Sequence, residues 1–397
     1  MSASLSPQSI AIVKATVPAL AEHGTAITSA MYRRLFEDPK IAALFNKANQ
    51  ENGAQVHALA TAVLAYARNI ENLGALGPAV ERIAQKHIGY AIEAEHYPYV
   101  ATALLGAIEE VLGDAATPEI IAAWGEAYWF LADILKGRED TIRAEIMSHE
   151  GGWTGWRGFV IAERVQESEG IASFILKPAD GRPVLRHRPG QYLTFNFDAA
   201  GPIGLKRNFS ISCGPNDDHY RITVKRQADG GASAFLYDEA FPGVCVDCTP
   251  PAGDFFLADV PERPIVLLSG GVGLTPMVSM MEMIAEAHPT ARVWYVHGTA
   301  SRDTHVLDAH IRELAGSHGG TKVHTFYERR DEADDAEAGF ITIDWLKANT
   351  PFEDADFYVC GPRPFLRSFV PGLIAAGVPT EQVHYEMFGP MDEALAA

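Results

Sequence analysis

Cysteine is scarce: four in 397 residues are too few for a disulfide framework, so a reducing compartment is expected. Runs of lysine and arginine are absent and the formal charge is −19, which excludes nucleic acid and anionic membrane surfaces as partners. No apolar stretch reads as a membrane span. The longest uncharged run, Pro264–Met281, carries Gly270, Gly271, Gly273 and Pro276 and reads as strand, turn and helix. Met1–Pro7 has neither a basic start nor an apolar core, so no secretory leader is expected, and the cytoplasm is the expected compartment. Repeats are missing too, and the acidic patch 331–337 reads as a solvated loop. What remains is 47% hydrophobic, ample for packed cores, and the length calls for two or three domains of roughly 100–150 residues.

The stretch Pro78–Tyr97 organises the first part. Val80, Ile83, Ala84, His87 and Ile88 recur at the spacing of one helix face, and Pro78 suits a first turn. His87 therefore points inward, where an imidazole needs a partner. A core histidine bonded to a backbone carbonyl and a neutral imidazole holding haem iron both meet that need.

Residues 5–147 show 3.6-residue periods broken at Gly24, Pro39, Gly53, Gly77, Pro98 and Pro118, which predicts six or seven helices and no strand. A helix over Gln55–Ile70 carries Leu59, Ala62, Val63 and Tyr66 inward, with Gln55 on the same face. His57 falls roughly 200° from Gln55 and is a poor pocket residue. Tyr32 sits among Met31, Leu35 and Phe36. The last helix has a stripe of Trp124, Tyr128, Leu131, Leu135, Glu139 and Ile142. Glu139 on that apolar stripe either has a buried partner or lies at a solvated helix end.

Four groups of residues carry a resemblance. They are Phe45-Asn46 with Asn49-Gln50, Asn52-Gly53 and Gln55; Asn69-Ile70-Glu71-Asn72-Leu73; Ile83-Ala84-Gln85-Lys86-His87; and Ala123-Trp124-Gly125-Glu126-Ala127-Tyr128. In this order the region resembles the globin half of the flavohaemoglobins, the bacterial and yeast nitric oxide dioxygenases. The resemblance implies that residues 1–147 form an all-α globin domain holding one haem b through His87, with Lys86 beside it and Phe45 on the haem face. It makes Tyr97 and Glu139 the support of the imidazole, raising its basicity. Tyr32, Gln55 and Leu59 would line the opposite side, where the Tyr32 hydroxyl would donate to bound O₂.

Ser148–Trp156 is Gly-rich and ends the helical pattern. Beyond it the period becomes two: Phe195 and Phe197, then Tyr220, Ile222 and Val224, then Val244 and Val246. Short strands to residue 260 predict an antiparallel β-barrel domain over 153–260. Arg188-Pro189-Gly190-Gln191-Tyr192 leads into one strand, and Arg207-Asn208-Phe209-Ser210 lies on another, with cation, aromatic and hydroxyl read at alternating positions. Arg207 suits a pyrophosphate, Phe209 a ring stack, and Ser210 a ring-edge hydrogen bond. Lys225, Gly231 and Ser233 follow, the glycine opening a short helix towards a phosphate. These stretches resemble the FAD domain of the ferredoxin-reductase superfamily, which implies that Tyr192 and these residues hold one FAD. Phe209 stands where that family usually has Tyr, so stacking is kept and the phenol hydrogen bond lost. Cys245 and Cys248 fall on opposite faces of a strand, which defeats chelation.

From Pro264 strands alternate with helices, predicting an α/β NAD(P)-binding domain with a parallel sheet over 264–397. Gly271, Gly273, Thr275 and Pro276 form a βα turn, Thr275 read as N-cap and Pro276 as first helical residue. With Cys360-Gly361 and Glu386-Met387-Phe388 this set resembles the NAD(P)H half of the same superfamily. The resemblance implies that the turn meets the dinucleotide, Cys360 and Gly361 the nicotinamide, and Phe388 the flavin. Met387 replaces a residue that is often Cys.

Taken over the chain, the resemblance implies nitric oxide dioxygenation: NADH or NADPH reduces FAD, FAD reduces haem, and NO becomes nitrate. Partners would be the small molecules O₂, NO and NAD(P)H, and a monomer is expected. Two other classes use the same residues: a haem-free flavin reductase serving a partner oxygenase, and a haem-based gas sensor or carrier. Both donors stay compatible, since Arg302 suits either a 2′-phosphate or plain solvent.

Overall fold

The computed structural model describes residues 4–42, 44, 54–198, 206–228 and 231–388, with backbone alone at Ala54 and Gln55. The chain divides into two compact units, one ending at Ser148 and the other beginning at His149.

The first unit is helical among its described residues: α1 (Pro7–Ala15), α2 (Val17–Leu35), α3 (Pro39–Ala42), α4 (Ala54–Arg68), α5 (Gly77–Gly89), α6 (Tyr97–Leu112) and α7 (Pro118–Ser148). Ile27, Met31, Leu35, Ala67, Ile108, Trp124 and Ala127 form its main core, and Tyr97, Ala132 and Leu135 a smaller one. Gly24 does not break a helix. It lies inside α2, where a Cβ would stand 3.7 Å from that of Ala60, so α2 and α4 approach closely there. Thr28 Oγ1 donates to Val56 O across the same contact at 3.1 Å. Ala62, expected inward, is exposed, as is His57.

The stretch Pro78–Tyr97 is not one helix. Pro78 opens α5 as expected, but the helix stops at Gly89 and Ala91 turns left-handed at φ 52°. A 3₁₀ turn over Ala94–His96 follows, boxed by Glu93 and His96, and Tyr97 begins α6 with Pro98 in its first turn. A non-glycine residue at positive φ is uncommon, so this corner had no composition cue.

The second unit holds two six-stranded sheets. β1 (Arg157–Ser168), β2 (Ile171–Pro178), β3 (Tyr192–Asn196), β4 (Lys206–Ser210), β5 (Tyr220–Lys225) and β6 (Cys245–Cys248) are antiparallel in the order β4-β3-β6-β1-β2-β5. The edge strands meet: Ile211 bridges Ile222, and Ser212 N–H donates to Arg221 O at 2.7 Å. The sheet thus closes as a barrel, with α8 (Ala232–Asp238) after β5. Cys245 is exposed and Cys248 buried, as the pleat requires.

β7 (Ile265–Gly270), β8 (Val293–Thr299), β9 (Thr321–Tyr327), β10 (Glu337–Ala338), β11 (Asp356–Cys360) and β12 (Val383–Glu386) make a parallel sheet ordered β10-β9-β8-β7-β11-β12. α9 (Leu274–Ala287), α10 (Asp308–Ser317), α11 (Ile343–Asn349) and α12 (Arg363–Ala375) connect these strands. β7 is buried throughout, the continuous apolar pattern of a strand covered on both faces. The direction of strand order reverses beside it, which opens a crevice at the strands' carboxyl ends.

Candidate functional site

In the helical unit, the corner at Ala91 brings Tyr97 back onto the helix that carries His87. His87 Nδ1 lies 2.6 Å from Glu139 Oε1 and 3.1 Å from the Tyr97 hydroxyl, which itself donates to Glu139 Oε1. A carboxylate oxygen only accepts, so Nδ1 carries the proton and Nε2 presents its lone pair. Among the described residues Nε2 has no partner, and the side chain is 29% exposed. Glu139 is fully buried, so the solvated-end reading fails. Among the described residues its Oε2 accepts no hydrogen bond, and Arg143 Nη2 lies 3.6 Å from it. Burial, then the bond and charge of Glu139, hold the Tyr97 hydroxyl well above its ordinary pKa, so it stays a donor. Tyr128 fixes the turn by donating to Tyr97 O at 2.7 Å.

The surroundings fit a haem. Leu59 and Val63 on α4, and Val80 and Ile83 on α5, are only half-buried although they lie on apolar faces against the two cores. Half-buried apolar faces in the same unit as an imidazole whose Nε2 has no partner among the described residues suit a flat apolar ligand with a metal centre. Tyr32, buried on α2 and stacked on Phe36 at 5.5 Å, shares the main core with Leu59. Lys86 is exposed one residue before His87. Phe45 and the side chain of Gln55 lie outside the described residues.

In the barrel, the pleat corrects one expectation. Arg207 pairs with Phe195 and Phe209 with Leu193, whereas Ser210 pairs with Tyr192, so Ser210 falls on the other face from Arg207 and Phe209. Arg207 is half-buried and has no carboxylate partner among the described residues, a cation left for an anionic ligand. Phe209 meets Phe195 edge-on at 5.7 Å. On the Ser210 face, Thr194 Oγ1 and Asn208 Oδ1 oppose each other, buried and without a hydrogen-bond partner among the described residues. These groups fit a polar, phosphate-bearing cofactor such as FAD. Lys225 is exposed at the end of β5, Gly231 caps α8 at φ 78°, and Ser233 Oγ accepts from Gln227 N–H at 3.2 Å.

The parallel sheet gathers the three nucleotide motifs at one end. Ser269 pairs with Cys360, and Cys360 with Glu386, so Gly270–Gly273, Cys360-Gly361 and Met387-Phe388 continue from adjacent strand ends. Gly271 has φ 54°, the left-handed region that favours glycine. Thr275 is not the N-cap: Gly273 is, and the Thr275 hydroxyl donates to Val272 O at 3.1 Å. Pro276 is the third helical residue, not the first, still where an N–H is dispensable. Burial pushes the Cys360 thiol well above its usual pKa, which makes it a packing residue rather than a nucleophile. Phe388 is 47% exposed. Arg302 is exposed, 3.7 Å from Asp334.

Sequence reasoning passed over Glu282, Ser279 and His187, which join the parallel-sheet part to the barrel. The available cue was Glu282 itself, the first charge after the uncharged run Pro264–Met281.

Residues 28–135 match the Globin family and residues 267–370 the Oxidoreductase NAD-binding domain family. The flavohemoprotein of Xylella fastidiosa strain 9a5c is 70% identical over all of both chains. That of Rhodopirellula baltica is 42% identical over 99% of this chain and 100% of its own. The crystal structure of flavohemoglobin from Malassezia yamatoensis with bound FAD and heme superposes with a TM-score of 0.87 at 26% identity, covering 98% of this chain and 100% of that one. The flavohem-like FAD/NAD-binding domain of nitric oxide dioxygenase from Vibrio cholerae has a TM-score of 0.54 at 36% identity, covering 61% of this chain and 100% of that one. A globin unit with an imidazole prepared for iron, a barrel prepared for FAD and a sheet end prepared for NAD(P)H occur here in one chain, which belongs to the flavohaemoglobin (flavohemoprotein) family.

Proposed function

We propose that this NAD(P)H-dependent oxidoreductase is a nitric oxide dioxygenase, converting NO and O₂ to nitrate. The observation that carries the reading is the hydrogen-bonded His87–Glu139–Tyr97 set, with Glu139 and Tyr97 buried, in a chain with its own reductase. The Vibrio cholerae relative described above as a nitric oxide dioxygenase supports it. When bound, haem supplies an iron that takes O₂, and FAD turns a two-electron hydride into single electrons.

The chain's own residues do the rest. Glu139 and Tyr97 orient His87 and enrich its ring, which favours O₂ activation over carriage. Tyr32 and Leu59 line the opposite side, a role also assigned to Gln55, while Phe45 is assigned to the haem face; Tyr32 offers a hydroxyl where negative charge develops. Arg207, Phe209, Tyr192, Ser210, Lys225, Gly231 and Ser233 hold FAD. Gly271, Gly273, Thr275 and Pro276 seat the dinucleotide, with Cys360, Gly361 and Phe388 at its nicotinamide end. On this reading the domains run over 1–147, 153–260 and 264–397. O₂, NO and NAD(P)H are the partners. No described helix is long and apolar enough to cross a membrane.

NO, O₂ and one electron make one nitrate, so each hydride serves two turnovers. The test is anaerobic reduction by NADH followed by NO in air. Flavin bleaching, ferrous haem, NO loss and matching nitrate are expected. Flavin without haem would instead make the protein a reductase, and haem that ignores NADH a sensor or carrier.

A further inference from the structure

One helix touches both halves of the reductase. α9 leaves the dinucleotide turn at Leu274 and, 14 residues long, ends at Ala287. Between these ends it grips the barrel at two points one turn apart. Ser279, fully buried, has its Oγ 3.1 Å from His187 Nε2, which also lies 3.0 Å from Cys213 O. Glu282 spends both oxygens: Oε2 accepts from Gly214 N–H at 2.6 Å and Oε1 from Arg221 Nη2 at 2.7 Å. His310 of α10 holds the same Oε1 at 2.8 Å.

The gripped segments are those that carry the FAD residues. His187 directly precedes Arg188-Pro189-Gly190-Gln191-Tyr192, and Cys213-Gly214 follow Arg207–Ser210 within four residues. Arg221 lies on β5, which ends at Lys225, and also donates to Ser212 O. The fit is close: a Cβ on Gly214 would stand 3.0 Å from Glu282 Cβ, and one on Gly190 2.7 Å from Met280 Cε. At ~1.5 Å per residue, the grips lie only about 8–12 Å along the helix from the turn. A hydrogen-bonded helix is stiff over that length.

We infer that Glu282 is a positioning residue for hydride transfer: with Ser279 and His187 it makes α9 a fixed spacer setting where the nicotinamide stands against the flavin. Misplacement by ~1 Å can cost 10²-fold in rate without loss of binding. Both Glu282 oxygens are taken up by Gly214, Arg221 and His310, so the effect assigned to it is on alignment. The inference rests on the assignment of the Gly270–Gly273 turn to the dinucleotide and of β4 to FAD.

The experiment uses the full-length, FAD- and haem-loaded protein. Glu282→Ala and Glu282→Gln are compared with wild type by anaerobic stopped-flow flavin reduction, which separates the limiting rate from the NADH dissociation constant. Charge-transfer absorbance of the reduced flavin with NAD⁺ and amide exchange at Gly214 and over 270–275 are recorded in parallel. For Glu282→Ala the limiting rate falls about 10–100-fold, with the dissociation constant and FAD content unchanged. The charge-transfer band weakens and both segments exchange faster, while Glu282→Gln, which keeps an acceptor, recovers part of each. An unchanged limiting rate, or a loss explained wholly by FAD content or melting temperature, would overturn the proposal. Should Glu282→Ala not fold, Ser279→Ala removes one grip and gives a smaller change in the same direction; an unchanged limiting rate there overturns it equally. Wild-type flavin that NADH does not reduce would remove the reductase reading and this one with it.

Discussion

Gly273 and Cys360 stand so close that a side chain on the glycine has nowhere to go: a Cβ would lie 2.4 Å from the Cys360 carbonyl oxygen and 2.7 Å from Gly361 Cα. Both neighbours are backbone, which cannot swing aside. Gly273→Ala therefore pushes the turn off β11. We expect at least about tenfold slower flavin reduction by NADH, since the two motifs that flank the dinucleotide lose register. Reduction by dithionite stays normal. Wild-type kinetics in the variant would show that the turn does not hold the dinucleotide.

Glu139→Gln removes the charge that Nδ1 of His87 donates to and keeps the size. Loss of such an outer partner typically costs 10–100-fold in metal affinity or activity. The expected results are faster haem loss to an acceptor globin and a lower iron–histidine stretching frequency in ferrous protein. An unshifted frequency would show that the carboxylate does not tune the imidazole.

Arg207→Ala deletes a cation with no carboxylate partner among the described residues. A hydrogen bond to a charged group is worth about 1.5–3 kcal/mol, so FAD should bind at least about tenfold more weakly. Titration of the FAD-stripped protein with FAD measures it. Because no ion pair is broken, the melting temperature of the flavin-free protein should hold, which separates lost binding from lost structure.

Acid should weaken the second unit through buried neutral histidines. Burial pushes His187 and His305 down to about 4, and His297 well below its ordinary value. The unfolded chain takes up these protons near pH 6.5, the folded one only near pH 4. Unfolding thus binds protons in that window, and stability is lost as pH falls from about 6.5 towards 4. The melting temperature of this unit should drop between about pH 7 and pH 5, and less so in His187→Gln. A flat profile would mean that these rings are not neutral and buried.

Much of this was legible because periodicity reports burial. The stripe through Trp124, Leu135 and Glu139 marked one inward face of α7, and a carboxylate on it raised the question of a buried partner or a solvated end. Which partner was a tertiary matter. Tyr97 reached His87 only because the chain turned at Ala91, a left-handed alanine that no composition rule marks. Gly24 misled for the converse reason: its small size serves the contact of α2 with α4, not a break. Thr275 looked like a cap by type, yet the helix starts one residue earlier and the hydroxyl turns back to Val272. Short β12 carried motif residues but too few apolar ones to read as a strand. The Glu282 grips pair residues 61 and 68 positions apart, beyond any local pattern.

The order of strands also sets a timetable. β12 lies at one edge of the parallel sheet and is the last strand among the described residues, and it brings Glu386 beside Cys360. A chain leaving the ribosome at about 5–20 residues per second folds its first unit well before that strand exists. The haem-binding helices can thus be complete while the nucleotide crevice still lacks a wall. During synthesis, the globin waits for its source of electrons.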